Sequence, residues 1–266
     1  MSKKRSNFID AHNHLVYTYY DPIHVDWIIE QMVANNIEFM ILNGGHSKEN
    51  EQILEIAQKF DHLNMIKPVI GIHPEDCQGA NDFERYEHLI NDKVVGIGEI
   101  GLDYYYEDAA TKEDQLASFE NQLKLAQKLN LPVVIHIRDK ENEWNAYADV
   151  YNLLKKYPVK HMLHTYSGNL EWTQKFIELD SYFSFSGTVT YGSNQQGRDV
   201  IKIVPLNRIL VETDAPYLRP HPYANEKNEP NKVIFTTYYI AGLLGLGMDK
   251  FVAKINSNLR ELFKLK

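Results

Sequence analysis

Two kinds of stretch alternate along the whole chain. Short apolar runs, rich in β-branched residues, fall at 8–15, 39–45, 65–74, 94–102, 132–138, 161–168, 181–188 and 209–218. Their length and composition suit strands. Between them lie longer runs whose apolar residues recur every three or four positions. The clearest is 111–130, where Leu116, Phe119, Leu123 and Ala126 share one face and Thr111 stands where a helix N-cap is needed. Eight strand–helix units predict an α/β fold, a (β/α)8 TIM barrel, formed as a single domain over 1–266. An open doubly wound sheet alternates in the same way, but no G-x-G-x-x-G follows the first strand. The loosest segment, "RPHPYANEKNEP" at 219–230, comes after the eighth strand, where a barrel carries functional loops.

The polar residues inside this pattern are not scattered. The first strand reads "IDAHNHL" and puts Asp10, His12 and His14 at alternate positions, which predicts one shared face. His73 ends the third strand. Glu99 lies on the fourth, with Asp103 just after it. His136 and Arg138 close the fifth, His164 lies on the sixth, and Glu212 and Asp214 end the eighth. Barrel enzymes build their sites at these C-terminal strand ends. Isolated ionisable groups in an apolar interior are costly unless they share a cation. Mixed imidazole and carboxylate donors suit Zn²⁺ or Mn²⁺, whereas an all-oxygen set suits Mg²⁺. Arg138 has a second reading, as an ion-pair partner of Glu99 or Asp103. His46 and His221 lie on the catalytic side as supporting or substrate contacts. His24, His62, His88 and His161 read as surface groups. The tyrosines of "DYYYED" (103–108) read as a loop wall, with stacking on a substrate as the alternative.

Composition narrows the classes. The formal charge of −8 argues against non-specific coating of nucleic acid or anionic membrane. It does not exclude a phosphodiester substrate, because bound metal can supply positive charge locally. Cys77 is the only cysteine, so neither an intrachain disulfide nor a cysteine metal cluster is expected. No apolar run approaches the roughly 18 residues a membrane span needs, and the N-terminus lacks the apolar core of a signal peptide. The expectation is a cytoplasmic protein, a monomer or weak oligomer.

The ordered motifs resemble the TatD family of metal-dependent deoxyribonucleases, within the wider amidohydrolase-like barrels. "DAHNHL" is similar to the family's opening D-x-H-x-H. "GIHP" (71–74), "GEIGLDYYY" (98–106), "LPVVIHIRD" (131–139), "HTYSG" (164–168), "SGTVT" (186–190), "ETDAPYL" (212–218) and "NEP" (228–230) follow in the family's order. The resemblance implies two divalent ions (Mg²⁺, Mn²⁺ or Zn²⁺). One would be held by His12, His14, Glu99 and Asp214, the other by Glu99, His136 and His164, with Glu99 bridging. His73, Arg138 and Glu212 would contact phosphate or assist a further ion. Two departures are visible. Thr165 and Tyr166 stand where the family often has Cys and Phe, and the loop at 219–230 lacks the Arg-Gly pair common before N-E-P. Many superfamily members bridge their metals with a carboxylated lysine, but no lysine stands at a strand C-terminal end here.

The implied activity is hydrolysis of DNA phosphodiester bonds by a water activated between two metals, as an exonuclease on single-stranded or frayed ends. Asp214 would orient that water or take its proton, Arg138 would stabilise the developing charge, and His73 would bind phosphate or assist the leaving oxygen. Hydrolysis of a small amide, lactone or phosphoester at the same barrel site is the alternative.

Overall fold

A computed structural model describes residues 7–106, 110–223 and 226–266. Parts of the expected loops at 103–108 and 219–230 thus lie outside the described residues. Eight strands form one sheet in chain order: β1 (Phe8–Asn13), β2 (Ile37–Asn43), β3 (Ile66–Ile70), β4 (Gly96–Asp103), β5 (Val133–Arg138), β6 (His161–Leu163), β7 (Tyr182–Phe185) and β8 (Ile209–Val211). Successive neighbours pair in parallel. The helices are α1 (Pro22–Ala34), α2 (Ser47–Lys59), α3 (Lys112–Leu129), α4 (Asn145–Lys156), α5 (Leu170–Ile177), α6 (Gln195–Ile203), α7 (Val233–Leu243) and α8 (Met248–Phe263). The expected barrel is thus the observed one. Thr111 caps α3 as its position suggested, accepting from the Asp114 amide at 3.1 Å. Between β3 and β4 the described chain makes only short 3-10 turns, and α7 and α8 both follow β8.

Helix α8 closes the end of the barrel where the strands begin. Asn258 Nδ2 donates to the carbonyls of Leu206 and Ile209 at 2.9 and 2.8 Å. Asn256 Nδ2 donates to Asn7 O at 3.4 Å, and the Phe263 ring crowds Gly96. Leu259, Leu262 and Phe263 join Ile9, Phe39, Val69, Val134, Met162 and Leu210 in one buried apolar cluster. A larger cluster fills the layer between strands and helices. The opposite mouth, at the C-terminal strand ends, is left for chemistry.

The seam between β1 and β8 is closed by the chain just past β8. Asp214 N donates to His12 O at 3.0 Å, and His14 N donates to Ala215 O at 2.8 Å. Asp10 completes it. Its Oδ1 accepts from the Thr213 amide at 2.9 Å and its Oδ2 from the Thr213 hydroxyl at 2.6 Å, with further bonds from His12 N and Asn13 Nδ2. Asp10, spent on these bonds, therefore leaves the predicted single face, on which His12 and His14 stay together with their Nε2 atoms 3.0 Å apart. Pairing with β2 shifts register between Asp10 and Asn13, and strict alternation does not survive such an irregularity.

Several strands stop earlier than their apolar runs suggested, β6 and β8 by the most. Past β6, Thr165 has φ 38°, and past β8, Asp214 has φ 53°. Left-handed backbone at a non-glycine residue is uncommon and leaves the strand path. At both places the chain turns across the mouth. Gly101, at φ 146°, meets the opposite need: a Cβ there would lie 2.0 Å from His136 O. Only glycine lets β4 run that close to β5 at the site.

Candidate metal centre

Glu99 stands at the middle of the mouth, almost fully buried. Its Oε2 lies 3.3 Å from both His12 Nε2 and His14 Nε2. Asp214 Oδ1 approaches the same two nitrogens at 3.4 and 3.6 Å, and the nitrogens are 3.0 Å apart. The other oxygen, Oε1, lies 2.6 Å from His164 Nε2 and 3.0 Å from His136 Nδ1. Those two nitrogens are 3.2 Å apart. His73 Nε2 stands 3.5 Å from the same oxygen. Four of the expected histidines, with His73 beside them, thus converge on the Glu99 carboxylate, and Asp214 joins through His12 and His14.

For two of the imidazoles, a neighbour on the far side of the ring fixes what the near side presents. His14 Nδ1 donates to Asn43 O at 3.0 Å, so Nε2 turns its lone pair to the centre. His136 Nε2 donates to Asp103 Oδ2 at 2.8 Å, so Nδ1 does the same. Lone pairs aimed at carboxylate oxygens leave two satisfactory occupants, a proton or a cation. The electrostatics point the same way. Burial alone would lower the His14 pKa, yet Glu99 and Asp214 hold it up at about 9. His164 is likewise raised against its burial, chiefly by Glu99. Burial favours the neutral form of Glu99, but His164, His12 and His73 keep it well below the usual carboxylate range. Asp214 is also lowered, against burial, by His12 and His164.

The donor set fits a divalent ion. Three overlapping groups (His12, Glu99, His164; His12, His14, Asp214; His73, Glu99, His136) each bring their ligand atoms within 4.8 Å of one another. An ion bound tetrahedrally at about 2.0–2.2 Å separates its ligands by roughly 3.3–3.5 Å. His12 Nε2 and His14 Nε2, 3.0 Å apart, each stand 3.3 Å from Glu99 and 3.4–3.6 Å from Asp214, distances close to that spacing.

Two further expected residues lie outside the ring of groups that touch Glu99. Glu212 is fully buried. Its Oε1 accepts from the amide and hydroxyl of Thr165 at 2.7 and 2.5 Å and lies 3.5 Å from His164 Nδ1. It reaches the centre only through His164. Arg138 pairs with neither Glu99 nor Asp103 directly. Its guanidinium lies 4.0 Å from the ring centre of Tyr105 and 4.9 Å from that of Tyr106, and it donates to the Tyr106 hydroxyl at 3.0 Å. His46 caps α2 and sits 3.2 Å from Glu49, and His221 packs against Tyr191. His161, expected on the surface, is buried between Val159 O and Ser181 Oγ, and burial pushes its pKa down to about 4.

Other residues support the centre without having been given a role from the sequence. Asn228 of "NEP" is fully buried, and its Nδ2 donates to the carbonyls of Thr213 and Tyr217 at 2.8 and 2.6 Å. It pins the turn that carries Asp214. Glu49 is buried near His14 and accepts from Gly45 N at 3.1 Å. Its sequence context is only the polar first turn of an amphipathic helix, which carries no signal of burial.

Comparison with known proteins adds a family. A family model described as TatD related DNase matches residues 9–264. The chain is 32% identical to the uncharacterized metal-dependent hydrolase YabD of Bacillus subtilis, over 96% of this chain and 98% of that one. It is 28% identical to human deoxyribonuclease TATDN3, over 96% and 94%. It also superposes on the crystal structure of YJJV, a TatD homologue from Escherichia coli, with a TM-score of 0.85, 25% identity, and 98% and 99% of the two chains covered.

Proposed function

The chain belongs to the TatD-related DNase family and is a metal-dependent hydrolase; on that premise we propose that it hydrolyses DNA phosphodiester bonds as an exonuclease on single-stranded or frayed ends. One observation carries this reading: the two oxygens of Glu99 face two separate sets of histidines. A carboxylate shared in that way suits two divalent ions. We assign His12, His14, Glu99 and Asp214 to one, and Glu99, His136 and His164 to the other. Mg²⁺, Mn²⁺ or Zn²⁺ is the ion class, with the nitrogen-rich donors favouring Zn²⁺ or Mn²⁺.

Such ions, when bound, supply Lewis-acid polarisation of a phosphoryl oxygen and lower the pKa of water. The chain's own groups do the rest. Asp214, held ionised, accepts a hydrogen bond from the attacking water and orients it. His73 Nδ1 accepts from the Glu75 amide at 3.2 Å, so its proton sits on Nε2, on the side of Glu99, ready to donate to phosphate or to the leaving oxygen. Arg138 stabilises the negative charge that develops on phosphorus oxygens. Glu212 acts as a positioning residue behind His164.

Among the described residues no helix is long and apolar enough to cross a membrane. The same reading has the protein act in the cytoplasm, as a monomer or weak oligomer. Digestion of end-labelled single-stranded DNA by Mn²⁺- or Mg²⁺-reconstituted protein tests it. A ladder shortening by one nucleotide at a time is expected. Turnover of small amides, lactones or phosphoesters alone, with DNA untouched, would contradict it.

A further inference from the structure

Two pairs of tyrosines stand at opposite rims of the mouth. Tyr105 and Tyr106, just past β4, meet edge to face with ring centres 4.9 Å apart, and are 44% and 43% exposed. Arg138, at the end of β5, lies over both rings. Tyr217, past β8, is 50% exposed and packs edge-on against Tyr19 at 5.9 Å. Tyr19 in turn stands edge-on to His14 at 6.4 Å. In a barrel of eight strands in chain order, β4 and β5 lie across from β8 and β1. Glu99, which springs from β4 and meets the histidines of β1, lies between the two rims.

Each rim is tied to the centre through its backbone. Tyr105 N donates to Asp103 Oδ1 at 2.9 Å, while Oδ2 of the same carboxylate holds His136. Tyr217 N donates to Asp214 O at 2.8 Å. The backbone that carries Tyr105 and Tyr217 is thus anchored to the residues that hold the carboxylates and imidazoles.

Resting on the nuclease reading, we propose that the rims are base-stacking platforms, one for the nucleobase on each side of the scissile phosphate. The ligand is then an unpaired, base-bearing strand drawn across the mouth from Tyr19 and Tyr217 to Tyr105, Tyr106 and Arg138. Aromatic faces and a guanidinium plane take any base, so the grip is sequence-tolerant. Paired bases in a duplex cannot offer their faces, so the same rims select single strands. The net charge of −8 fits as well. A chain without a basic excess gains little from phosphate neutralisation along a long footprint, and stacking can supply the affinity instead.

The test compares two single-stranded oligonucleotides of equal length on the Mn²⁺-loaded full-length protein. One is natural, and the other carries tetrahydrofuran abasic residues throughout. The natural strand should be cut roughly 100-fold more efficiently, about ten-fold from each rim, chiefly through KM. Tyr106→Leu and Tyr217→Leu should each cut that preference by roughly ten-fold, whereas Tyr217→Phe, which keeps the ring, should retain it. Equal cleavage of the two strands by the unsubstituted protein, or a full preference in the leucine variants, would overturn the proposal while leaving the nuclease reading in place. Cleavage of neither strand would remove that reading, and the stacking proposal with it.

Discussion

His136 donates from Nε2 to Asp103 Oδ2 at 2.8 Å, and this one bond turns the other ring nitrogen toward Glu99. Burial would raise the Asp103 pKa, but the His136 contact keeps it lowered, so an ionised carboxylate backs the imidazole. Removing such a partner commonly weakens metal binding by about 10–100-fold. Asp103→Ala is expected to lose affinity in that range in a chelator-competition titration with Mn²⁺ or Zn²⁺. Unchanged affinity would mean that His136 needs no support from behind.

Asp10 carries no metal in this account, although it opens the motif that points to one. Its carboxylate takes the Thr213 amide and hydroxyl, the His12 amide and Asn13 Nδ2. Asp10→Ala would strand those donors in a fully buried site. A loss of about 3 kcal/mol or more is expected from the unmet donors. Denaturant unfolding of the metal-free variant against metal-free parent measures it. A change within about 0.5 kcal/mol, as for an ordinary surface position, would contradict the seam assignment.

His161 gives a pH dependence remote from the metal centre. It is buried neutral, with a pKa pushed from 6.5 down to about 4. The unfolded chain binds this proton below pH 6.5, while the folded chain refuses it until about 4. Stability from this group is therefore complete above pH 6.5, declines as pH falls, and is exhausted near pH 4. The whole window corresponds to about 3 kcal/mol. His161→Gln removes the titration, so its stability should fall less steeply than the parent's between pH 7 and 4. Parallel curves would show that His161 titrates normally.

Much of this architecture is legible in the sequence, and the physical reason is plain. Parallel barrel strands are buried on both faces, so they read as continuous apolar runs. An ionisable residue at the end of such a run is conspicuous. Glu99, His136 and His164 could be found that way, because nothing in an apolar core needs them. What the sequence hides is register and long-range pairing. Asp10 seems to share a face with His12 and His14 because alternation is assumed to persist, and the shift beside His12 leaves no mark in residue types. Thr165 and Asp214 turn left-handed without glycine to announce it, so the sixth and eighth strands seem longer than they are. His161 reads as a surface group because its partner, Ser181, is twenty residues away. Glu212 sits two residues from Asp214 and seems equivalent to it, yet one is fully buried behind His164 while the other faces His12 and His14.

The central claim is that Glu99 joins two cation sites. Glu99→Gln keeps the shape of the side chain but removes the charge that five imidazoles surround. Elemental analysis of purified, metal-reconstituted protein, with nuclease assay of the same sample, measures the consequence. The expected result is a loss of bound divalent metal from the parent stoichiometry together with a fall in DNA cleavage of at least about 100-fold, the scale on which a group stabilising the transition state acts. A Glu99→Gln protein that held its full metal complement and cut DNA at the parent rate would contradict the bridging role outright.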